Sequence, residues 1–155
     1  MPAAWRLVET ARLSTAWEGA GARRHGGRWN SPGVAVVYLS EHLSLACLEV
    51  LVHVQDGAVL QAYSAAGADF GDVPVADLEG GPPSDWRSHT PPASTQAIGD
   101  AWVARGRTAV LRVPSVVVPV EHNFVVNPRH PDAGRLSIRK SMAFPFDRRL
   151  RARRS

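Results

Sequence analysis

Alternating apolar and polar positions predict several short strands. In residues 3–9 (AAWRLVE), Trp5 and Leu7 alternate with Arg6 and Val8, which is the two-residue period of a strand. Residues 34–40 (VAVVYLS) form the clearest apolar run of strand length. Further strands are predicted at residues 58–65 and, in two pieces punctuated by Pro114 and Pro119, within residues 108–128.

Two segments follow the helical period instead. In residues 43–54 (LSLACLEVLVHV) apolar side chains cover nearly the whole circumference of a helix, so we expect this helix to be buried on more than one side. Ser40 is placed to cap it. Glu49 is the lone acid in the run, and a carboxyl group there must find a partner, become neutral or line a cavity. Residues 94–106 predict a second helix, with a serine at its start and a closing glycine.

The order of these elements favours an α+β fold in a single domain. Strands outnumber helices and do not alternate with them regularly, which argues against a doubly wound parallel sheet. Residues 14–33 contain five glycines and predict a long loop, while the Pro-, Gly- and Ser-rich residues 79–94 predict an irregular crossing. At 155 residues and 45% hydrophobic content, the chain is large enough for one core.

The net charge of +4 is concentrated at one end of the chain. Residues 148–155 (RRLRARRS) contain five arginines and no acid, whereas the remaining 147 residues contain 13 basic and 14 acidic side chains. We therefore divide the chain into a domain of residues 1–147 and a basic C-terminal tail of residues 148–155, interpreted as a solvated terminus with no direct nucleic-acid binding. The chain has no basic-then-apolar leader and no 18-residue apolar run, which predicts a cytoplasmic protein without membrane contact.

Several familiar chemistries lack their motifs. The segment GAGARR (19–24) misses the third glycine of a dinucleotide fingerprint, and there is no Walker A lysine. The six histidines show no HExxH or other zinc-like spacing, so we assign no metal. Cys47 is the only cysteine, and on the apolar helix it is interpreted as a core residue.

The block of residues 23–53 contains side chains that suit a phosphate-bearing ligand. The glycine pair 26–27 allows close backbone approach, and Arg28 follows it with a guanidinium that can grip two phosphate oxygens. Tyr38 lies ten residues after Arg28, and Glu49 eleven residues after Tyr38. Each has an ordinary structural explanation alone, but together they indicate a pocket.

Six stretches, in order and spanning nearly the whole chain, match one known family. They are WR (5–6), GGRWN (26–30), VVYLS (36–40), SLACLEVLVH (44–53), LRVPSVVVPVEHNFVVNPRHPD (111–132) and FPFDRRL (144–150). With them the chain resembles the RES-domain proteins, the toxins of RES–Xre toxin–antitoxin systems; Arg148 departs from the proline usual in that family. The resemblance implies a mostly antiparallel split sheet with a few helices, similar to the ADP-ribosyltransferase fold, and the consumption of NAD⁺.

The resemblance also implies roles for single residues. Glu49, Tyr38 and Arg28 are the expected catalytic residues. Glu49 would bind the ribose hydroxyl and stabilise an oxocarbenium-like transition state, while Tyr38 would stack on the nicotinamide. Arg28 and Arg6 would hold the pyrophosphate or ribose side of NAD⁺. One carboxylate suffices because nicotinamide leaves as a neutral pyridine, which needs no proton.

Two further substrate contacts are implied. Ser115 would orient Glu49 or the ribose, and Asn127 is a further pocket residue. NAD⁺ is the substrate in this scheme, so no cofactor is expected.

Three functions remain open on the sequence alone. The favoured one is a growth-arresting toxin that cleaves the nicotinamide–ribose bond of NAD⁺, with water or phosphate as the acceptor. The second is a protein ADP-ribosyltransferase using the same pocket, and the third is a nucleic-acid-binding module using the arginine tail, whose binding would fall steeply with salt. The resemblance further implies an Xre-like DNA-binding antitoxin that joins the chain in a hetero-oligomeric complex.

Overall fold

The computed structural model describes residues 3–53 and 62–150 of the chain. Its helices in these ranges are α1 (Ala20–His25), α2 (Leu43–His53) and α3 (Ala93–Arg105), and 3-10 turns lie at Thr10–Thr15, Pro131–Arg135 and Arg148–Leu150. Its strands are β1 (Ala3–Glu9), β2 (Val37–Ser40), β3 (Tyr63–Asp69), β4 (Val75–Asp77), β5 (Val110–Pro114), β6 (His122–Val126), β7 (Ser137–Ile138) and β8 (Met142–Phe144). None of the helices described combines the length and apolar character that a membrane crossing requires.

The strands pair into one mixed sheet that is divided near its middle. Within the described ranges its order is β4-β5-β6-β2-β1-β3-β7, with β8 also paired to β3. The β4–β5 pair is parallel and the other pairs are antiparallel. β1 pairs with β3 along its whole length but with β2 only through Trp5 and Ser40. The sheet is therefore split between β1 and β2, close to the end of β2.

The two faces of the sheet pack against different partners. On one face, here called the inner face, the buried side chains form a single apolar cluster that includes Ala4, Val37, Leu39, Ala68, Phe70, Val110, Phe124 and Val126. On the other, the helical face, Leu7 packs with residues of α2, whereas Leu111 and Val113 pack with Trp102 of α3. The two helices thus cover opposite ends of the helical face, which leaves the ends of β2 and β6 between them.

α3 lies directly against the loop that precedes β2. A Cβ atom added at Gly99 would overlap the Trp29 carbonyl oxygen, so only glycine permits this approach. The helix ends at Gly106, which has a left-handed φ of 62° and donates its amide to the Trp102 carbonyl. This packing fixes the position of the loop that carries Arg28.

Most of the predicted elements are present, with shifted ends. β1, α2 and the two strands within residues 108–128 lie where the sequence pattern predicts them. β2 begins only at Val37, and α3 has Pro92 as its N-cap, so Ser94 lies inside the first turn. The predicted loop 14–33 contains the short helix α1.

Two predictions concern residues at the edge of the described ranges. The strand expected at residues 58–65 is found as β3 from Tyr63 to Asp69, and residues 58–61 lie outside the described part of the chain. The basic tail begins in the turn Arg148–Leu150, and residues 151–155 also lie outside it.

Candidate active site

Glu49 is held on the helical face by hydrogen bonds from two distant parts of the chain. Its Oε1 accepts from Ser115 Oγ at 2.9 Å and from Asn123 Nδ2 at 2.8 Å. Asn123 in turn accepts from Ser40 Oγ at 2.8 Å through its Oδ1. The lone acid of α2 therefore has partners from β6 and from the turn after β5, as a carboxyl group on an apolar helix requires.

The Ser115 hydroxyl is fixed as a donor to Glu49. Ser115 is fully buried, and its Oγ accepts hydrogen bonds from the backbone amides of Val117 and Val118, each at 3.1 Å. A hydroxyl has one proton and two acceptor positions, so the proton is directed to Glu49 Oε1. The structure thus brings Ser115 together with Glu49, and its role in orienting Glu49 or the ribose stays a prediction. In the described residues the hydrogen bonds to Glu49 go to Oε1, which leaves Oε2 for a ligand.

Arg28 is held by backbone carbonyl groups of the irregular crossing. Its Nη1 donates to the Trp86 oxygen at 2.9 Å and to the Ser88 oxygen at 2.8 Å, and Nη2 lies 3.5 Å from the His89 oxygen. Burial lowers the pKa of Arg28, and the negative charge of Glu49 opposes that shift. Since these hydrogen-bonded partners are neutral backbone groups, they do not neutralise the positive charge of the guanidinium.

The loop that carries Arg28 is tied to α3. Gln96 Nε2 donates to the Gly27 oxygen at 3.1 Å, and Asp100 Oδ1 accepts from the Ser31 amide at 2.9 Å. Gly27 also needs its small size, because a Cβ there would lie 2.8 Å from the Tyr38 hydroxyl. The second glycine of the pair noted in the sequence therefore allows close packing against Tyr38.

Tyr38 is fixed by its hydroxyl group. The hydroxyl donates to Asn30 Oδ1 at 2.6 Å and accepts from the Trp29 amide at 3.0 Å. Burial raises the pKa of Tyr38 above its usual value, with the hydrogen bond from Trp29 acting in the opposite direction. The ring therefore has a defined position on the same face as Ser40, two residues further along β2.

Arg6 lies on the other side of the sheet. β1 places Trp5 opposite Ser40 on the helical face, so the alternation of side chains directs Arg6 to the inner face with Ala4. Its Nη1 donates to the Ala16 oxygen at 2.6 Å, its Nε is buried without a partner in the described residues, and burial lowers its pKa to about 10. The structure does not bring Arg6 together with Glu49, because a one-residue step along a strand reverses the face.

Asn127 has a structural contact of its own. Its Oδ1 accepts from the Arg129 amide at 3.0 Å, and its backbone oxygen accepts from the His130 amide at 3.1 Å. It lies four residues from Asn123, which corresponds to about 13 Å along a strand. The structure thus places Asn127 in the turn after β6 and apart from the Glu49 network.

Asn123 and Ser40 are the site residues that sequence reasoning missed. The sequence predicts Ser40 as a helix cap, but it ends β2 and its hydroxyl binds Asn123. Asn123 lies in the matched stretch 111–132, which also contains Asn127, the asparagine predicted for the pocket. Pairing of Ser40 with Asn123 across β2 and β6 is a register contact, which a single sequence does not reveal.

Comparisons with known proteins place these residues in a family context. A profile of the RES domain matches residues 3–147. A Yersinia enterocolitica protein named Toxin Res is 39% identical over 149 residues, which cover 95% of this chain and 98% of that protein. A Sphingobium protein named Prs ADP-ribosylating toxin is 38% identical over 152 residues and covers 94% of each chain.

The fold has a counterpart among solved structures. It aligns with a chain in the crystal structure of the M. tuberculosis MbcT–MbcA toxin–antitoxin complex with a TM-score of 0.75 and 25% identity, over 92% of this chain and 83% of that one. This likeness confirms the α+β fold class predicted from the sequence.

Proposed function

Because the chain belongs to the RES domain family, we propose that it is the toxin of a toxin–antitoxin pair and that it cleaves the nicotinamide–ribose bond of NAD⁺. The acceptor in this proposal is water or phosphate. The observation that carries it is the carboxylate of Glu49, fixed by Ser115 and Asn123. Its negative charge also acts on Arg28, where it opposes the lowering of the pKa by burial.

Glu49 supplies the electrostatic part of the proposed reaction. When the bond between ribose C1′ and the nicotinamide nitrogen breaks, its electron pair goes to nitrogen and positive charge develops on the ribose. A carboxylate already held by Ser115 and Asn123 stabilises that charge without reorganising. Water or phosphate then bonds to C1′, and an attacking water releases one proton. Nicotinamide leaves neutral, which is consistent with a single acid.

Arg28 binds the anionic part of the substrate in this proposal. A guanidinium offers several N–H donors in one plane, and it pairs well with phosphate oxygens. Its carbonyl partners at Trp86 and Ser88 hold the group in place without neutralising it. The proposal leaves out Arg6 and Asn127, whose side chains have other contacts.

Tyr38 provides an aromatic surface for the nicotinamide ring. A positively charged planar ring is attracted to the face of a tyrosine. Because two hydrogen bonds fix the Tyr38 hydroxyl, little ring freedom is left to lose on binding.

A protein ADP-ribosyltransferase is the second candidate. The name of the Sphingobium relative favours it, since that protein is called an ADP-ribosylating toxin. The cleavage step is the same, but a protein side chain replaces water or phosphate as the acceptor at C1′.

The proposed partner is an antitoxin. The structural neighbour was crystallised as a toxin–antitoxin complex, and for this chain we propose an Xre-like DNA-binding protein that forms a hetero-oligomer with it. A toxin that depletes NAD⁺ acts where the cell keeps its NAD⁺, so the proposal places the chain in the cytoplasm.

The experiment compares Glu49→Gln with Glu79→Gln, an exposed acid outside the site. Wild type and Glu79→Gln should consume NAD⁺, whereas Glu49→Gln should turn over about 10²–10³-fold more slowly at an unchanged melting temperature. Equal turnover by Glu49→Gln and wild type would overturn the catalytic assignment.

Product analysis separates the acceptors. Mass spectrometry of products formed with and without phosphate distinguishes ADP-ribose from its phosphorylated form. ADP-ribose attached to added cell protein, with little free product, would favour the transferase.

A further inference from the structure

Two Glu-His dipeptides face each other at the end of the split sheet, outside the proposed NAD⁺ site. Glu41 and His42 directly follow β2, while Glu121 and His122 lie at the start of β6. The Glu41 amide donates to the His122 oxygen at 3.1 Å, which brings the two dipeptides together.

Three of these side chains bring possible metal-ligand atoms close together. One ligand atom each from Glu41, His42 and Glu121 lies within 4.8 Å of the other two. His42 Nε2 lies 3.2 Å from Glu41 Oε1. Ligand atoms around a tetrahedral ion with bonds of about 2.0–2.1 Å lie roughly 3.3 Å apart, so the Glu41–His42 pair already has the spacing of two metal ligands.

The fourth side chain, His122, orients Glu41. His122 Nδ1 lies 3.2 Å from Glu41 Oε2, the oxygen that does not face His42. Metal-binding carboxylates commonly have such an outer hydrogen bond, which fixes the oxygen that contacts the ion.

Glu121 gives an independent indication that a cation belongs here. Its Oε1 is buried and has no hydrogen-bond partner in the described part of the chain. A buried carboxylate oxygen without a partner is costly, and a second carboxylate nearby raises that cost. A cation between Glu41 and Glu121 satisfies both groups.

We propose that Glu41, His42 and Glu121 form a binding site for a divalent transition-metal ion of the Zn²⁺ type. One imidazole nitrogen and two carboxylate oxygens favour zinc over Mg²⁺ or Ca²⁺, which prefer all-oxygen sites. The His42 side chain is 59% exposed, so water can reach the site as a fourth ligand. The bound ion ties the end of β2 to the start of β6 beside the Ser40–Asn123 pair.

The test is calorimetric titration of the untagged, metal-free full chain with ZnCl₂. Wild type should bind one Zn²⁺ per chain, and its melting temperature should rise with the ion. His42→Ala and Glu121→Gln should each weaken binding about 100-fold or more, whereas His122→Ala should weaken it about 10–100-fold as an outer contact. His25→Ala, an exposed histidine on α1, is the matched control and should bind like wild type.

Variant melting temperatures without metal show whether each variant is folded. Since His42 is exposed, His42→Ala should fold normally, and its loss of binding can then be assigned to the ligand. Unaltered Zn²⁺ binding in both His42→Ala and Glu121→Gln, or no saturable binding in wild type, would overturn the site. An equal loss in His25→Ala would do the same. None of these readouts depends on NAD⁺ turnover.

Discussion

The side-chain nitrogen of Asn123 donates to the Glu49 carboxylate at 2.8 Å, and the side-chain oxygen of Asn123 accepts from the Ser40 hydroxyl at 2.8 Å. Ser40 of β2 and Asn123 of β6 therefore together fix the position of the Glu49 side chain on α2. This connection makes Asn123 a positioning residue for Glu49.

We expect Asn123→Ala to reduce NAD⁺ turnover about 10-fold with a small change in KM. The loss of one hydrogen bond to a charged group, about 1.5 kcal/mol, corresponds to that factor. Asn127→Ala is the control, because that side chain binds a turn amide and should affect stability alone. Steady-state kinetics and melting temperatures of both variants make the comparison, and an equal kinetic loss in the two would contradict the assignment.

Arg28→Met should change substrate binding, whereas Arg6→Met should change stability. Without the Arg28 charge, KM for NAD⁺ should rise at least 10-fold, since charge-assisted bonds to phosphate are among the strong ones. Arg6→Met should change the melting temperature and leave KM within about twofold, because Arg6 faces the inner side of the sheet. A large KM increase in Arg6→Met at normal stability would return Arg6 to the substrate site.

Tyr38 predicts a specific dependence of stability on pH. Its folded pKa lies above the unfolded value of 10, so the protonated form favours the folded state. This contribution is fully present below about pH 10 and is lost as the pH rises through the folded pKa. The free energy of unfolding should therefore fall more steeply between about pH 9 and pH 11 in wild type than in Tyr38→Phe. Denaturant titrations at both pH values measure the difference, and parallel curves would show that Tyr38 is not the group responsible.

Gly27→Ala adds only one methyl group but should impair activity. Its Cβ would lie 2.8 Å from the Tyr38 hydroxyl and 2.9 Å from Asn30 Oδ1, so the loop before Arg28 must shift. Gly21→Ala is the matched control, because its Cβ meets no atom within 4 Å and alanine is the better helix former. The expected result is a raised KM and a lowered melting temperature for Gly27→Ala alone. Identical kinetics in the two variants would contradict the tight packing at Gly27.

The local sequence pattern is sufficient to predict the helix and the strand that carry site residues. The helix around Glu49 and the strand ending at Ser40 follow from hydrophobic period and length, and the ordered motifs predict the RES family and its toxin class, which are confirmed. The partners of Glu49 cannot be read in this way. Ser115 and Asn123 are 66 and 74 positions away, and their contact depends on sheet register.

The position of Arg6 also could not be predicted from the sequence, although it depends on neighbouring residues of a single strand. The alternation of Trp5 and Leu7 against Arg6 and Val8 is visible in the sequence, but the face that α2 covers is not. Once Trp5 pairs with Ser40, the parity of the strand decides the location of Arg6.

The carbonyl groups that hold Arg28 have a consequence for how the chain tolerates change. Every amino acid has a backbone carbonyl, so the contacts from positions 86, 88 and 89 do not depend on which side chains stand there. The hold on the guanidinium therefore places no requirement on the side chains at these three positions. A deletion or insertion that alters the path of the backbone would displace the guanidinium, so the contacts to Arg28 constrain the length of this segment and not the identity of its residues.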